Sequence, residues 1–412
     1  MKRLIIGLII FSFTNLVATE KIDISTGSNY SNDVYFNFKN AETHVLENSN
    51  WDIGFSLVDK GAAGSAIIIN EAYVELYSAP YDTTRWESFD TTNLNTWERL
   101  YNPKISWTNG AYNIYRGERS ALDMGWGVLM PELNFWTYGD SLYTIKLQSG
   151  NFIKFKINSL KQGVWEFSYS DIDNSNEETI EINKADYTNK NFIYFNFQNK
   201  EIIDREPLKE TWDIVFTKYM YFAESVVKYN TTLGVLNDSD IKISKMQGSI
   251  EDKFETKEEE FLDNISLIGN DWKTFDMSAF VWAVEKENVY IIKTENNELY
   301  NLTFLTFGGK DNGNLSFQYK KVSPSSITEN GSVAFYPNPV SNFGNIVLDN
   351  NYYGEVIITI HNIHGKLINE YSLNKSSEFQ NYALKLQNMN KGIYILNIKY
   401  ENKIEHIKII KE

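Results

Sequence analysis

Apolar and polar positions alternate with a period of two along much of this chain. Val34, Phe36 and Phe38 share one face of a short run, with Tyr35 and Asn37 on the other. Ile193, Phe195 and Phe197 repeat the pattern, as do Trp51, Ile53 and Phe55 and then Trp212, Ile214 and Phe216. This is the signature of half-buried β-strands. No segment sustains a 3.6-residue period, so helices should be few and short. Aromatic residues, 15% of the chain, suit pleated surfaces and point the same way. The pattern predicts an all-β chain: two tandem, predominantly β domains followed by a C-terminal immunoglobulin-like β-sandwich.

The tandem arrangement follows from repetition. "VYFNF" at 34–38 is answered by "IYFNF" at 193–197, and "NWDIGF" at 50–55 by "TWDIVF" at 211–216. Asn70 is answered by Asn230, "LYTIK" (142–146) by "VYIIK" (289–293), and "GVWEFSY" (163–169) by "GNLSFQY" (313–319). Five blocks in one order mark a duplicated scaffold. The spacing shrinks between Asn70 and Leu142, so the stretches of unequal length, about 80–140 and 237–287, are where function is expected. The expected organisation is a signal peptide at 1–19, repeats at 20–175 and 176–322, a Ser/Pro/Gly linker at 323–331, and a third unit at 332–412. That last unit reads as short alternating strands split by Gly and Asn turns, as in a small antiparallel sandwich.

Charge and leader set the address. Net charge is −15; each end carries one net positive charge, so the body between 21 and 330 carries −17. Such a body is unsuited to phosphate backbones or anionic lipid heads. Lys2 and Arg3, the apolar run from Leu4 to Leu16 and the small residues Ala18 and Thr19 read as a secretory leader. No later segment has the apolar length of a spanning helix. With no Cys, the chain has neither disulfides nor thiol nucleophiles, and must rely on core size.

The tail resembles the type A C-terminal sorting domain of the type IX secretion system of Bacteroidota. The matching elements are Tyr336-Pro337-Asn338-Pro339, the strand ending in Gly365-Lys366, Gly392-Ile393-Tyr394, and the basic end from Lys408 to Lys411. The resemblance implies export across the outer membrane, with the secretion machinery and its sortase as partners of 332–412. The product would be secreted or held on the cell surface. The duplicated units resemble HmuY-type proteins through the "YFNF" strand, the "WDI" strand, the Asn after it, and the late "Y-x-I-K" and "G…F-x-Y" strands. That resemblance implies a β-fold and the binding of haem, with host haem proteins as further partners.

Some members of that family grip haem iron with two His. Here His44 is the only His outside the tail, where His361, His364 and His406 lie, so neither repeat can hold a His pair. Other relatives use Met, and a thioether can serve as an axial ligand. Met124 and Met277 each follow an Asp and precede the "Y-x-I-K" strand, which makes them the leading candidates. Met130 and Met246 are the next, and Met220 lies nearer the start of the second repeat. The competing reading of each is core filler. Trp86, Trp97, Trp107, Trp126 and Trp136, with Tyr101, Tyr112, Tyr115 and Phe135, form either an aromatic platform or a filled core.

Other motifs point away from catalysis. Asp171, Asp173 and Ser175 open like a calcium loop, but Asn176 stands where Gly is wanted and Ile182 where a bidentate Glu is wanted. Gly61–Ala66 lacks the Lys-Ser/Thr of a phosphate loop, and there is no Gly-x-Ser-x-Gly elbow or His-Glu-x-x-His. Asp82-Thr83-Thr84, Asp90-Thr91-Thr92 and Asp140-Ser141-Leu142 are similar to O-glycosylation sites of the same phylum, or are simply exposed turns. The sequence therefore supports an exported, non-enzymatic binder of haem or a related tetrapyrrole. The alternative is an adhesive, structural or glycan-contacting surface module on the same fold.

Overall fold

The computed structural model describes residues 19–58, 62–223, 227–252, 260–322, 333–349, 352–377, 379–400 and 403–412. The leader up to residue 18, the linker at 323–331, and parts of Gly61–Ala66 and of the charge run at 251–260 lie outside the described residues. Among the described residues the chain is all-β, with helical structure confined to 3-10 turns of three or four residues. It divides into two compact units, up to Val322 and from Ser323 onward.

Within the first unit, strand pairing crosses between the repeats. The Asn32–Asn37 strand pairs with Ile214–Ala223 of the second repeat, Phe36 lying opposite Ile214. The Phe192–Asn196 strand pairs with Ile53–Ser56 of the first repeat, Phe195 lying opposite Ile53. Glu20–Ser25 pairs with Asn314–Val322, and Glu178–Asn183 with Val164–Asp171. Side chains repeat the exchange. Asp213 Oδ2 accepts from the Phe38 N–H at 2.7 Å, and Asp52 Oδ2 from the Phe197 N–H at 2.7 Å. Tyr319 donates to Glu20 at 2.9 Å, and Tyr169 to Glu178 at 2.9 Å. The repeats at 20–175 and 176–322 therefore do not each close on their own strands. Each gives its first strands to the other.

Two lobes result. The inserted lobe runs without a break from about 50 to 206. Its core holds Ile53, Phe55, Trp126, Phe155, Trp165 and Phe167 together with Ile193, Phe195 and Phe197. The host lobe combines 20–47 with 210–322. Its core packs Val34, Phe36 and Phe38 against Ile214, Phe216, Trp272, Phe304 and Phe317. The connections at 48–52 and 207–212 carry the chain between them. The alternation of apolar residues is what makes the exchange workable. Either copy of "YFNF" presents the same Phe pair to whichever core it enters, and burial of such rings stabilises by roughly 1.5–3 kcal/mol each.

The second unit is a sandwich of a three-stranded sheet (Val333–Tyr336, Phe343–Asp349, Phe379–Lys385) and a four-stranded one (Gly354–Asn362, Leu367–Lys375, Gly392–Tyr400, Lys403–Lys411). Val333, Phe335, Ile346, Ile358, Leu396, Ile398 and Ile407 fill the space between. Asn338 explains the Pro-flanked motif. Its Oδ1 accepts from the Ile410 N–H and its Nδ2 donates to the Lys408 carbonyl, both at 2.8 Å, so the turn is fastened to the last strand.

Candidate functional site

The lobes face each other through two four-stranded sheets. One contains Ile53–Ser56 and Phe192–Asn196; the other contains Asn32–Asn37, Ile214–Ala223 and Lys228–Asn237. On their facing sides Tyr35 packs edge-on against Trp212, and Tyr194 edge-on against Trp51, with ring centroids 5.0 and 4.8 Å apart. The two tyrosines occupy corresponding positions of the two "YFNF" strands and line one cavity, and the Tyr194 hydroxyl donates to Glu206 at 3.0 Å. Sequence alone marks the "YFNF" frame as scaffold, yet its outward tyrosines meet at the interlobe surface. The alternation that put Phe inward put Tyr outward, and the second lobe then covered that face.

Beside this surface opens a cleft of about 510 Å³, within the range of small-molecule and cofactor sites. The inserted lobe supplies Glu98, Arg99, Tyr101 to Lys104 and Ile114; the host lobe supplies Tyr219 to Phe222, Tyr229, Ser266, Leu267 and Gly269 to Asp271. One wall is a ladder of flat groups. The Arg99 guanidinium lies 5.0 Å over Tyr101, Tyr101 stacks on Tyr229 at 3.6 Å, and Phe222 meets Tyr229 edge-on at 5.2 Å. Buried Glu71 ties the floor together. It accepts from Lys104 Nζ at 2.5 Å, from the Asn102 N–H at 2.8 Å, and from the Met220 N–H of the other lobe at 2.8 Å. Tyr219 donates to Asn270 at 3.2 Å and lies over Gly234, where a Cβ would stand 2.3 Å from its hydroxyl. Only glycine fits there.

Burial raises the pKa of Tyr219 and Tyr101 above the ordinary phenol value. Met220, whose thioether needs no proton loss, is the soft donor among the cleft residues. The cleft thus combines aromatic faces and a thioether with two cations, Arg99 and Lys104, and two acids, Glu98 and Asp271; Lys104 is already paired with Glu71, and Arg99 lies 3.5 Å from Glu75. The signal for Met220 was the run "TKYMYF" at 217–222, whose alternation continues beyond the matched block.

The thioethers singled out from the sequence are scattered. Met124 is 7% exposed in the inserted core, where its sulfur accepts from the Ser65 hydroxyl at 3.4 Å. Met277 is 71% exposed, at the tip of the Lys273–Val284 hairpin. Met130 pairs with Trp136 at the end of a short strand, and Met246 pairs with Val289 in the host lobe. None of the four lines the cleft. His44 stands opposite Tyr35 in the Glu42–Glu47 strand and also lies outside it.

The Trp-rich stretch does not form one platform. Trp126 is in the core 5.5 Å from Trp165, and Trp86 lies under Lys154 and Lys156. Trp107 crosses to the host lobe and donates to the Asn237 carbonyl at 2.8 Å. In the loop after Asp171, the oxygens of Asp171 and Asp173 are engaged by Ser175 and Asn176. Among the described residues no three His, Cys, Asp or Glu side chains are grouped to hold a metal ion, and no helix is long and apolar enough to cross a membrane.

Several ionisable groups at the interlobe surface and in the host core are held in the wrong medium for their charge. Burial pushes Asp52 and Asp213 up to about 6, and Glu206 up to about 7 although it accepts from the Asn191 and Phe192 N–H groups and Tyr194. Lys273, among Trp272, Trp282 and Phe307, is pushed down to about 7 by burial. For the carboxyls, the folded chain holds protons that the unfolded chain has released. Their contribution is therefore complete below the ordinary carboxyl range and is lost as pH rises through 6 to 7. For Lys273 the unfolded chain holds the extra proton between about 7 and 10.5, so stability rises there with pH. Melting temperatures recorded from about pH 4 to about pH 10 should fall and then rise. Glu206→Gln should flatten the first limb and Lys273→Met the second; an unchanged profile in both variants would contradict these assignments.

The geometry can now be set beside known proteins. No curated protein matches this chain. Among solved structures, dimeric latent PorU from Porphyromonas gingivalis is matched at 11% identity, with a TM-score of 0.19, over 66% of this chain. The chain spans 31% of the length of that protein, and a score so low carries no argument about fold. Two family models do match. Residues 334–412 match the secretion system C-terminal sorting domain, which marks the chain for delivery to the cell surface or beyond. Residues 188–319, which supply the host-lobe wall of the cleft, match the HmuY protein family.

Proposed function

We propose that this chain is an exported, non-enzymatic binding protein that captures haem or a related tetrapyrrole in the cleft between its lobes. Residues 20–175 are read as a second copy of the HmuY-type unit, on the strength of the block-by-block correspondence and the mirrored hydrogen bonds. The observation that carries the proposal is the aromatic-walled cleft of about 510 Å³, with a thioether, two cationic and two acidic side chains among its lining residues. Phe222 and the face of Tyr229 not stacked on Tyr101 would lie against the ligand, Arg99 would face an acidic arm, and Met220 would face the iron. A bound haem would bring its own iron chemistry; the chain's part is to hold, orient and shield it. Residues 332–412 would engage the secretion machinery and its sortase, and host haem proteins are the natural source of cargo.

Titrating haemin into the purified chain from Glu20 onward should give a saturable shift of the Soret band. Met220→Ala should change the band position. Tyr229→Ala should weaken binding by about three- to tenfold, the worth of one aromatic contact. Absence of a saturable shift under both oxidising and reducing conditions would sink the proposal. The adhesive or glycan-contacting reading would then take its place.

A further inference from the structure

We propose that the small, partly open cavity beside the cleft is a receptor for a short carboxylate. It lies between the facing sheets and measures about 80 Å³, room for a few water molecules or one small organic anion. Tyr35, Tyr194, Ile68, Val215 and Leu236 give it an apolar body. Its unsatisfied polar atoms are mostly donors, with Asn109 Oδ1 the one orphan acceptor among the described lining residues.

Trp51 Nε1 and Arg205 Nε are buried donors without a hydrogen-bond partner, and such orphans are costly. Lys218 faces the Tyr73 ring at 4.5 Å, and no described carboxylate pairs with it; burial lowers its pKa. The cavity's two carboxylates are already engaged. Asp33 accepts from Arg205 at 2.8 Å and from Thr217 at 2.7 Å, while Glu71 is taken up by Lys104 and two backbone N–H groups. Lys104, Arg205 and Lys218 thus face two acids and leave one positive charge uncompensated, in a chain of net charge −15. A ligand here must bring acceptors, negative charge and a small apolar body, which is the chemistry of a short carboxylic acid.

The cavity and the cleft share Asn102, Pro103, Lys104 and Tyr219. The carboxylate can therefore come from either of two sources: a free short-chain acid, or the acidic arm of a molecule lying in the cleft. Only the second source rests on the tetrapyrrole reading.

The test uses the full chain, with sodium propionate, haemin and haemin dimethyl ester as probes in calorimetric titrations. Direct binding of propionate, weakened about tenfold or more by Lys218→Met as for loss of one charge-assisted hydrogen bond, supports the free acid. A preference for haemin over its diester that disappears in Lys218→Met supports the arm. Trp51→Phe, which removes a donor and keeps the ring, should weaken the same ligand and guards against a folding artefact. Propionate that does not bind, with haemin and its diester bound alike, overturns the inference while leaving the cleft reading intact. Propionate binding without haemin binding does the reverse.

Discussion

Phe36→Ala is expected to loosen the host lobe and leave the lobe built from the rest of its own repeat folded. Phe36 is fully buried, with ring centroids 5.1 Å from Phe38, 5.0 Å from Phe317 and 5.6 Å from Tyr319. The last two belong to the second repeat. Truncation of a buried Phe costs roughly 3–5 kcal/mol, and here the cavity opens among 288–322. Phe195→Ala is the mirror case. Its ring lies 5.2 Å from Phe167 and 5.9 Å from Tyr169, both in the first repeat. Hydrogen exchange read by mass spectrometry should show faster exchange in 288–322 for Phe36→Ala and in 141–171 for Phe195→Ala. The opposite assignment would mean that each repeat closes on its own first strand.

Arg205→Ala should be about as damaging. The Arg205 and Asp33 side chains are 4% and 5% exposed and pair at 2.8 Å. The guanidinium also donates to the Glu47 carbonyl at 2.9 Å and sits against Trp51 and Tyr194. Removing it leaves the Asp33 carboxylate buried, with only Thr217 and Asn48 as neutral donors. Breaking a buried pair in this way costs roughly 3–5 kcal/mol. Asp33 belongs to the first repeat's donated strand, whereas Arg205 follows the second repeat's, so the pair also holds the lobes together. Urea denaturation should show the loss for Arg205→Ala, and a smaller loss when Asp33→Asn accompanies Arg205→Met. A loss under about 1 kcal/mol for the single change would mean that the pair is solvated.

Much of this arrangement was written in the period-2 pattern. The strands around Phe36, Ile53, Phe195 and Ile214 and the short alternating strands of the tail could be read from alternation and spacing. The exchange could not. Val34, Phe36 and Phe38 present the same face whether they enter their own repeat's core or the other's, so the local signal is identical in both cases. The partner is chosen by chain connection and by long-range pairing. A related limit hid the interlobe site. Tyr35 and Tyr194 sit where alternation places solvent-facing residues, and only the meeting of two lobes buries them.

The unequal stretches pointed to half of the cleft. Glu98, Arg99 and Tyr101 to Lys104 come from the first, and Ser266, Leu267 and Gly269 to Asp271 from the second, but Met220 and Tyr229 extend the frame strands themselves. Met124 illustrates the remaining difficulty: sequence position and a preceding Asp say nothing about burial, and its thioether fills the inserted core.

On the proposed function, residues 20–175 and 176–322 build one site between them, with walls from both. The most direct test is the stoichiometry of haemin on the purified chain, followed by Soret absorbance at protein concentrations well above the dissociation constant. One haemin bound per chain, abolished or markedly weakened together by changes on either wall at Tyr101 and Tyr229, is the result this arrangement requires. Two haemins per chain, each sensitive to residues of one repeat alone, would contradict it.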